Sequence, residues 1–234
     1  MTTSTPAPLR TLVLATRNEH KVHELRQILR GLVDDLDLQI VGAGDVAGAP
    51  DVAETEVTFE GNARLKAMAL AQATGMPSVA DDSGLAVEVL GGSPGVFSAR
   101  WSGTTGGAHL ARADRDRANV ALLLEQVSDV PDEHRRAAFV CAAVLAMPDG
   151  TVESTEGRLE GVLVRDPRGS NGFGYDPVFV PDGYSTDVGD AVDIGRTLAE
   201  YTDTEKNQIS HRGRAFRDLE PILRKRLAEW PEDD

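Results

Sequence analysis

The sequence reads as an α/β protein, on three observations. Short apolar runs recur at residues 12–15, 38–41 and 79–80, each beside a segment with helical periodicity. A longer apolar run at residues 137–147 and the segment 151–157 flank Asp149-Gly150, a strong hairpin signal. A final helical pattern carries Ala215, Leu219, Ile222, Leu223 and Leu227 on one face.

Residues 12–15 form a continuous apolar run like an inner strand, broken by Thr16-Arg17-Asn18. The helix that follows shows Val22, Leu25, Ile28 and Leu29 on its apolar face, with Gly31 expected at its end. Free N–H groups at such a strand-to-helix junction suit phosphate, and Lys21 adds a charge one turn in; an ordinary helix cap with a surface lysine has the same pattern. Residues 38–41 read as a second strand, and 42–56 as a loop in which Glu54 and Glu56 share a side if extended. Thr58 is placed to cap a helix running to about Thr74, with Ala63, Ala67, Leu70 and Ala71 inward and Asn62 and Lys66 together on another face.

Asp81-Asp82-Ser83-Gly84 follows the third apolar run. Two carboxylates at a strand end, followed by a tight Ser-Gly turn, could hold a magnesium ion; they could equally be an acid-rich turn. Residues 91–107 carry six glycines and read as a flexible rim. Residues 114–127 are helical, closed by Pro131, and residues 159–164 continue the sheet beyond the hairpin. In Gly169-Ser170-Asn171-Gly172-Phe173-Gly174-Tyr175-Asp176-Pro177 the glycines leave Phe173 open to stack on a flat ligand, or form a hairpin that turns the ring inward. Thr202 or Asp203 caps a short helix at 205–209, and Ser210 caps the last one, so that His211 and Arg212 stand in its first turn. Cations there oppose the helix dipole, which favours an anion site over a stabilising role. Pro221 must kink or divide this helix.

With 234 residues, 41% of them hydrophobic, the chain can bury a substantial core as one large domain or two small lobes. Its 38 acidic against 24 basic residues give a net charge of −14, which argues against nonspecific nucleic-acid binding. An anionic substrate would need a local basic cluster or a divalent metal. The single Cys141 excludes an internal disulfide, reads as a small buried hydrophobe and fits a reducing compartment. Residues 1–10 are expected to be disordered and 230–234 to form an acidic tail, around a folded domain at 11–229. No signal-peptide pattern and no apolar run of ~20 residues is present, so a cytoplasmic protein with no membrane partner is expected.

Six motifs in order resemble the inosine/xanthosine triphosphate pyrophosphatase family: Thr16-Arg17-Asn18-Glu19-His20-Lys21; Thr58-Phe59 with Asn62 and Lys66; Ala80-Asp81-Asp82-Ser83-Gly84-Leu85; Ser93-Pro94-Gly95 with Ser98-Ala99-Arg100; Phe173-Gly174-Tyr175-Asp176-Pro177; and Ser210-His211-Arg212-Gly213. The resemblance implies that Thr16, Arg17, Asn18, Glu19, His20 and Lys21 hold a triphosphate. It implies that Glu54 and Asp82 are magnesium-site carboxylates, and Asp82 also the proton acceptor. Ser83 would contact substrate, Phe173, Gly174, Tyr175 and Asp176 would line the base and sugar pocket, and Lys206, His211 and Arg212 would bind the nucleotide. The implied activity is Mg2+-dependent hydrolysis of ITP, dITP and XTP to the monophosphate and diphosphate, by a homodimer. The fold expected is a single two-lobed α/β unit around a long mixed β-sheet with flanking helices, its active site in the cleft between lobes.

Two places depart from the family pattern. Gly61 stands where a Glu is common before the Asn of the second motif, with Glu60 one residue earlier. The segment 185–194 is longer than the usual link. Two rival readings remain at this level, a nucleotide sensor and a metal-dependent nuclease. Retention of Glu54, Asp82 and both lysines opposes the first, and the charge of −14 opposes the second.

Overall fold

The computed structural model describes residues 10–17, 19–103, 111–183 and 195–230. Asn18, the whole 185–194 segment and both chain ends lie outside them. The elements run β1 (Arg10–Leu14), α1 (Glu19–Ile28), α2 (Arg30–Leu36), β2 (Leu38–Gly42), α3 (Phe59–Thr74), β3 (Ser78–Val87), α4 (Arg112–Gln126), β4 (Arg136–Ala146), β5 (Val152–Leu163), β6 (Phe179–Pro181), α5 (Asp203–Ile209) and α6 (His211–Glu229). Six strands form one sheet in the order β2-β1-β3-β4-β5-β6. β1 pairs in parallel with β2 and β3, and β5 pairs antiparallel with β6. The sheet is therefore mixed, as expected of the α/β class.

The chain divides into two compact units. One comprises residues through Asp82, Ala142–Glu156 and the chain from Ala215; the other comprises Ser83–Cys141 and Gly157–Arg214. In the first, the small face of α3 (Ala63, Ala67, Ala71) packs with Ala80, Val144 and Ala146. Alanines allow a helix to approach strands closely, which brings the neighbouring α3 positions, Asn62 and Lys66, against β3. In the second, Leu85, Val87, Val120, Leu123, Phe139 and Phe179 belong to a core that also holds Tyr175 and Leu198.

Local signals explain the boundaries. Thr58 Oγ1 accepts from the Gly61 amide and starts α3, which stops at Gly75. Asp149 Oδ1 accepts from Thr151 N across the β4–β5 turn. Thr202 and Glu205 form a reciprocal cap on α5, and Ser210 Oγ accepts from Gly213 N at the start of α6.

Several expectations are corrected. Gly31 does not end a helix: the break falls at Leu29, and Gly31 lies inside α2. Pro221 does not divide α6, which is continuous. Residues 151–157 and 159–164 belong to one long strand, β5. Asp81-Asp82-Ser83-Gly84 makes no turn; all four residues are in mid-β3. Glycine is needed at 84 for close approach, because a Cβ there would lie 2.4 Å from Ser98 Oγ and 2.6 Å from the Gly95 carbonyl. The 95–100 segment is not a loose rim either. It is a 3-10 turn pinned by Ser98, whose Oγ accepts from Leu85 N at 2.9 Å and donates to Gly95 O at 2.6 Å. No helix among the described residues is long and apolar enough to cross a membrane.

Candidate active site

Within the first unit, α1, α3 and β3 assemble a charged cluster. Lys21, the third residue of α1, donates to both carboxylate oxygens of Asp81 at 3.2 and 3.0 Å. Lys66, on α3, donates to Glu54 Oε1 at 2.9 Å and to the Asp81 carbonyl at 2.8 Å. Its ammonium is also 3.9 Å from Asp82 Oδ1. Asn62, fully buried, donates to Asp82 Oδ2 at 3.0 Å while its own carbonyl accepts from Glu56 N at 3.0 Å. Asp82 is thus fixed from α3, and Asn62 in turn is fixed by the loop carrying Glu54. Arg17 donates to the Ala49 carbonyl at 3.1 Å, and the Thr16 carbonyl accepts from Ala43 N at 3.1 Å. Glu19 and His20 open α1.

Thr16, Arg17, Lys21, Glu54, Lys66 and Asp81 line a concavity of about 330 Å³. A second one, about 320 Å³, lies beside Arg26, Arg30 and Ile40 and holds none of the candidate residues. In the first, three basic groups (Arg17, Lys21, Lys66) face three acidic ones (Asp51, Glu54, Asp81). The protein alone therefore gives no excess positive charge to a polyphosphate, and an added cation would supply it.

Burial pushes the Asp82 carboxyl above the usual carboxylate range; Lys66 pulls it back, Glu54 raises it, the Asn62 hydrogen bond lowers it and Asp81 raises it. Among the described residues no three His, Cys, Asp or Glu side chains gather into a metal cage. Magnesium needs no such cage: it is commonly held by one or two carboxylates, substrate phosphates and water. Glu54 and Asp82 provide two hard oxygen donors, and the cation already between them is an ammonium. The residues fit a divalent metal.

The second unit carries a different chemistry. Phe173 is 46% exposed, not turned inward. Gly172 precedes it at φ +76, where a side chain would be strained, and a Cβ would meet Asp176 Oδ2 at 2.2 Å. Asp176 is nearly fully buried; its Oδ2 accepts from Phe173 N at 2.7 Å and from Lys206 Nζ at 2.6 Å. Lys206 also stands 4.7 Å from the Phe173 ring centroid, and the Arg112 guanidinium 4.9 Å. Gly174 N donates to Asp116 Oδ2 at 3.0 Å, and the buried Tyr175 hydroxyl donates to Ser98 O at 2.9 Å. His211 stacks on Phe139 with centroids 4.9 Å apart and planes at 12°. The buried Arg212 donates to Ser83 Oγ at 3.2 Å.

The sequence-derived candidates thus fall into two groups. Lys21, Glu54 and Asp82 share the first unit with Thr16 and Arg17, and Ser83, Phe173, Gly174, Tyr175, Asp176, Lys206, His211 and Arg212 share the second. Asp82 and Ser83 are consecutive in β3. Asn62 and Lys66 were visible as a spacing on α3 but not as partners of Asp82 and Glu54. Asp81 stood out in the sequence only as half of a possible magnesium-binding pair, not as the partner of Lys21; Arg112 and Asp116, in a run of alternating charge, carried no distinguishing signal as site residues. Gly61 has a steric reason: a Cβ there would lie 2.7 Å from Glu56 Cβ. Glu60 accepts from Ser154 Oγ at 2.9 Å instead.

The model of the Ham1 family matches residues 12–222. The chain is 55% identical to the dITP/XTP pyrophosphatase of Streptomyces avermitilis over 92% of its own length and 98% of the relative's. It is 49% identical to that of Mycobacterium tuberculosis, over 91% and 95%. Among solved structures, a HAM1 protein from Coxiella burnetii superposes with TM-score 0.76 at 36% identity, covering 93% of this chain and all of that one. The dITP/XTP pyrophosphatase from Mycobacterium abscessus does so with TM-score 0.70 at 45% identity, covering 91% and 99%.

Proposed function

The chain belongs to the Ham1 family, and on that premise we propose that it hydrolyses the non-canonical purine nucleoside triphosphates ITP, dITP and XTP to monophosphate and diphosphate. The observation that carries this reading is the cluster Lys21–Asp81, Lys66–Glu54 and Asn62–Asp82 beside a concavity of about 330 Å³. It joins ammonium groups for phosphate to a carboxylate held as a base.

Thr16, Arg17, Asn18, Glu19, His20 and Lys21 take the triphosphate, with Lys21 leaving Asp81 to pair with phosphate oxygens. Glu54 and Asp82 hold Mg2+, which when bound supplies positive charge to the phosphates. Asp82 takes the proton of the attacking water as the water oxygen bonds to the α-phosphorus. The bond from that phosphorus to the β-bridging oxygen breaks, and diphosphate leaves against Lys21 and Lys66. A carboxyl raised by burial is a stronger base than an exposed one, which suits this role.

Phe173 offers its exposed ring to the purine, with Gly174 and Tyr175 forming the loop around it. Asp176, whose Oδ2 accepts from both Phe173 N and Lys206, acts by holding those two groups. Ser83, His211 and Arg212 read the base: donors aimed at O6 accept hypoxanthine and xanthine and oppose the amino group of adenine. A homodimer in the cytoplasm completes the reading, checked by a solution mass near twice 25.0 kDa.

The deciding experiment is a panel of ITP, dITP, XTP, GTP and ATP with Mg2+, scored for diphosphate release. Release of orthophosphate instead, or equal rates on all five, would overturn the reading.

A further inference from the structure

We propose that Asp116 is a positioning residue for the base platform: by accepting from the Gly174 amide it holds the Phe173 loop in the shape that presents the ring. The proposal rests on the reading of Phe173 as the surface on which the purine stacks.

Two adjacent amides of this glycine-rich loop are held by carboxylates. Phe173 N donates to Asp176 Oδ2 at 2.7 Å, and Gly174 N donates to Asp116 Oδ2 at 3.0 Å. The first is a local bond three residues long, able to form in any arrangement of the loop as a whole. The second spans 58 residues and ties the loop to α4. Gly172 and Gly174 both have positive φ and have no side chains to pack, so hydrogen bonds must do the holding. Arg112, four residues before Asp116 and hence on the same face of α4, lays its guanidinium 4.9 Å from the ring centroid. One helix face thus addresses both the backbone and the ring of the platform. A solubilising role for Asp116 accounts for neither contact.

The test compares Asp116→Ala with Asp116→Asn, which keeps an acceptor oxygen, and with Phe173→Ala as reference. KM and kcat are measured for ITP with Mg2+, and inorganic tripolyphosphate, which has no base, is measured as a competitive inhibitor. Asp116→Ala is expected to raise KM for ITP by about tenfold, the scale of one hydrogen bond to a charged group. Its kcat and its tripolyphosphate inhibition constant should stay near wild type, and Asp116→Asn should restore most of the loss. Should the alanine variant fold poorly, Asp116→Ser, too short to reach Gly174, takes its place. An unchanged KM, equal losses for ITP and tripolyphosphate, or an asparagine variant as impaired as the alanine one overturns the proposal. If Phe173→Ala itself leaves ITP unaffected, the platform reading fails; if it weakens ITP and Asp116→Ala does not, only the positioning role fails.

Discussion

The ammonium of Lys66 lies 2.9 Å from Glu54 Oε1 and 3.9 Å from Asp82 Oδ1, so one cation serves the two acidic groups assigned to the metal. Lys66→Met keeps the aliphatic stem and removes that charge. Glu54 and Asp82 then face each other with less compensation. We expect a loss of about 1–3 kcal/mol without metal, the range for charged hydrogen bonds. Melting should fall by roughly 2–4 °C per kcal/mol for a chain of this size. Added Mg2+ should recover more stability in the variant than in wild type. Thermal melts with and without Mg2+ check this; identical shifts would make Lys66 a solvated residue.

Asp82→Asn should stop turnover while sparing the fold. The Asn62 amide that donates to Asp82 Oδ2 at 3.0 Å can donate equally to an asparagine carbonyl. The proposed base is lost and the contact remains. Because burial is the main force acting on the Asp82 charge, neutralising it should not destabilise the chain. The expected drop in kcat is roughly 10²–10⁴, the usual contribution of a general base, with an unchanged melting temperature. Activity near wild type would remove Asp82 from the chemistry.

The sequence was most legible where local chemistry decides. Thr58 and Ser210 cap helices, Asp149-Gly150 turns a hairpin, and Ala63, Ala67 and Ala71 pack inward, all as their residue types dictate. It was least legible where one residue type answers two demands. Gly84 suits a tight turn and suits close packing equally; β3 runs straight through it because the 95–100 segment occupies the space its Cβ would need. Gly31 reads as a helix stop, yet α2 carries it, since the break falls one residue before α2 begins. Long-range partners were the hardest. Asn62 and Lys66 were paired by spacing on α3, but nothing along the chain says that Asp82, twenty residues from Asn62, completes the set. Asp116, 58 residues from Gly174, was silent for the same reason.

The Tyr175 hydroxyl supplies a test by pH. Burial, and then the Asp116 charge, push its ionisation far above the ordinary value of about 10. The folded state thus holds this proton more tightly than the unfolded state. Its contribution to stability is complete below pH of about 10, where the phenol is protonated in both states, and is lost as pH rises above that and only the unfolded chain ionises. Tyr175→Phe removes the titration together with the hydrogen bond to Ser98 O. Denaturant unfolding between pH 8 and 11 should therefore fall more steeply in wild type than in Tyr175→Phe. Parallel curves would mean that the phenol ionises freely in the folded protein.

On the proposed reading, base selectivity rests on Ser83 and Arg212, which are joined by a 3.2 Å hydrogen bond between guanidinium and Oγ. Arg212 is almost fully buried, so its orientation is set by such partners and not by solvent. A guanidinium is donor only, which suits the O6 acceptor of hypoxanthine and xanthine and opposes the amino donor of adenine. Arg212→Ala should therefore narrow the gap between ITP and ATP by at least about tenfold, chiefly by damaging ITP. If Ser83 acts by aiming Arg212, Ser83→Ala should narrow the same gap, and the double variant should be little worse than Arg212→Ala alone. The magnesium dependence of residual turnover should be unchanged, because Glu54 and Asp82 remain. The measurement is kcat/KM for ITP, XTP, GTP and ATP in wild type, both single variants and the double. Additive losses would separate Ser83 from Arg212. Wild-type rates on ATP within a few-fold of ITP would show that donors facing O6 are not what sets the selectivity.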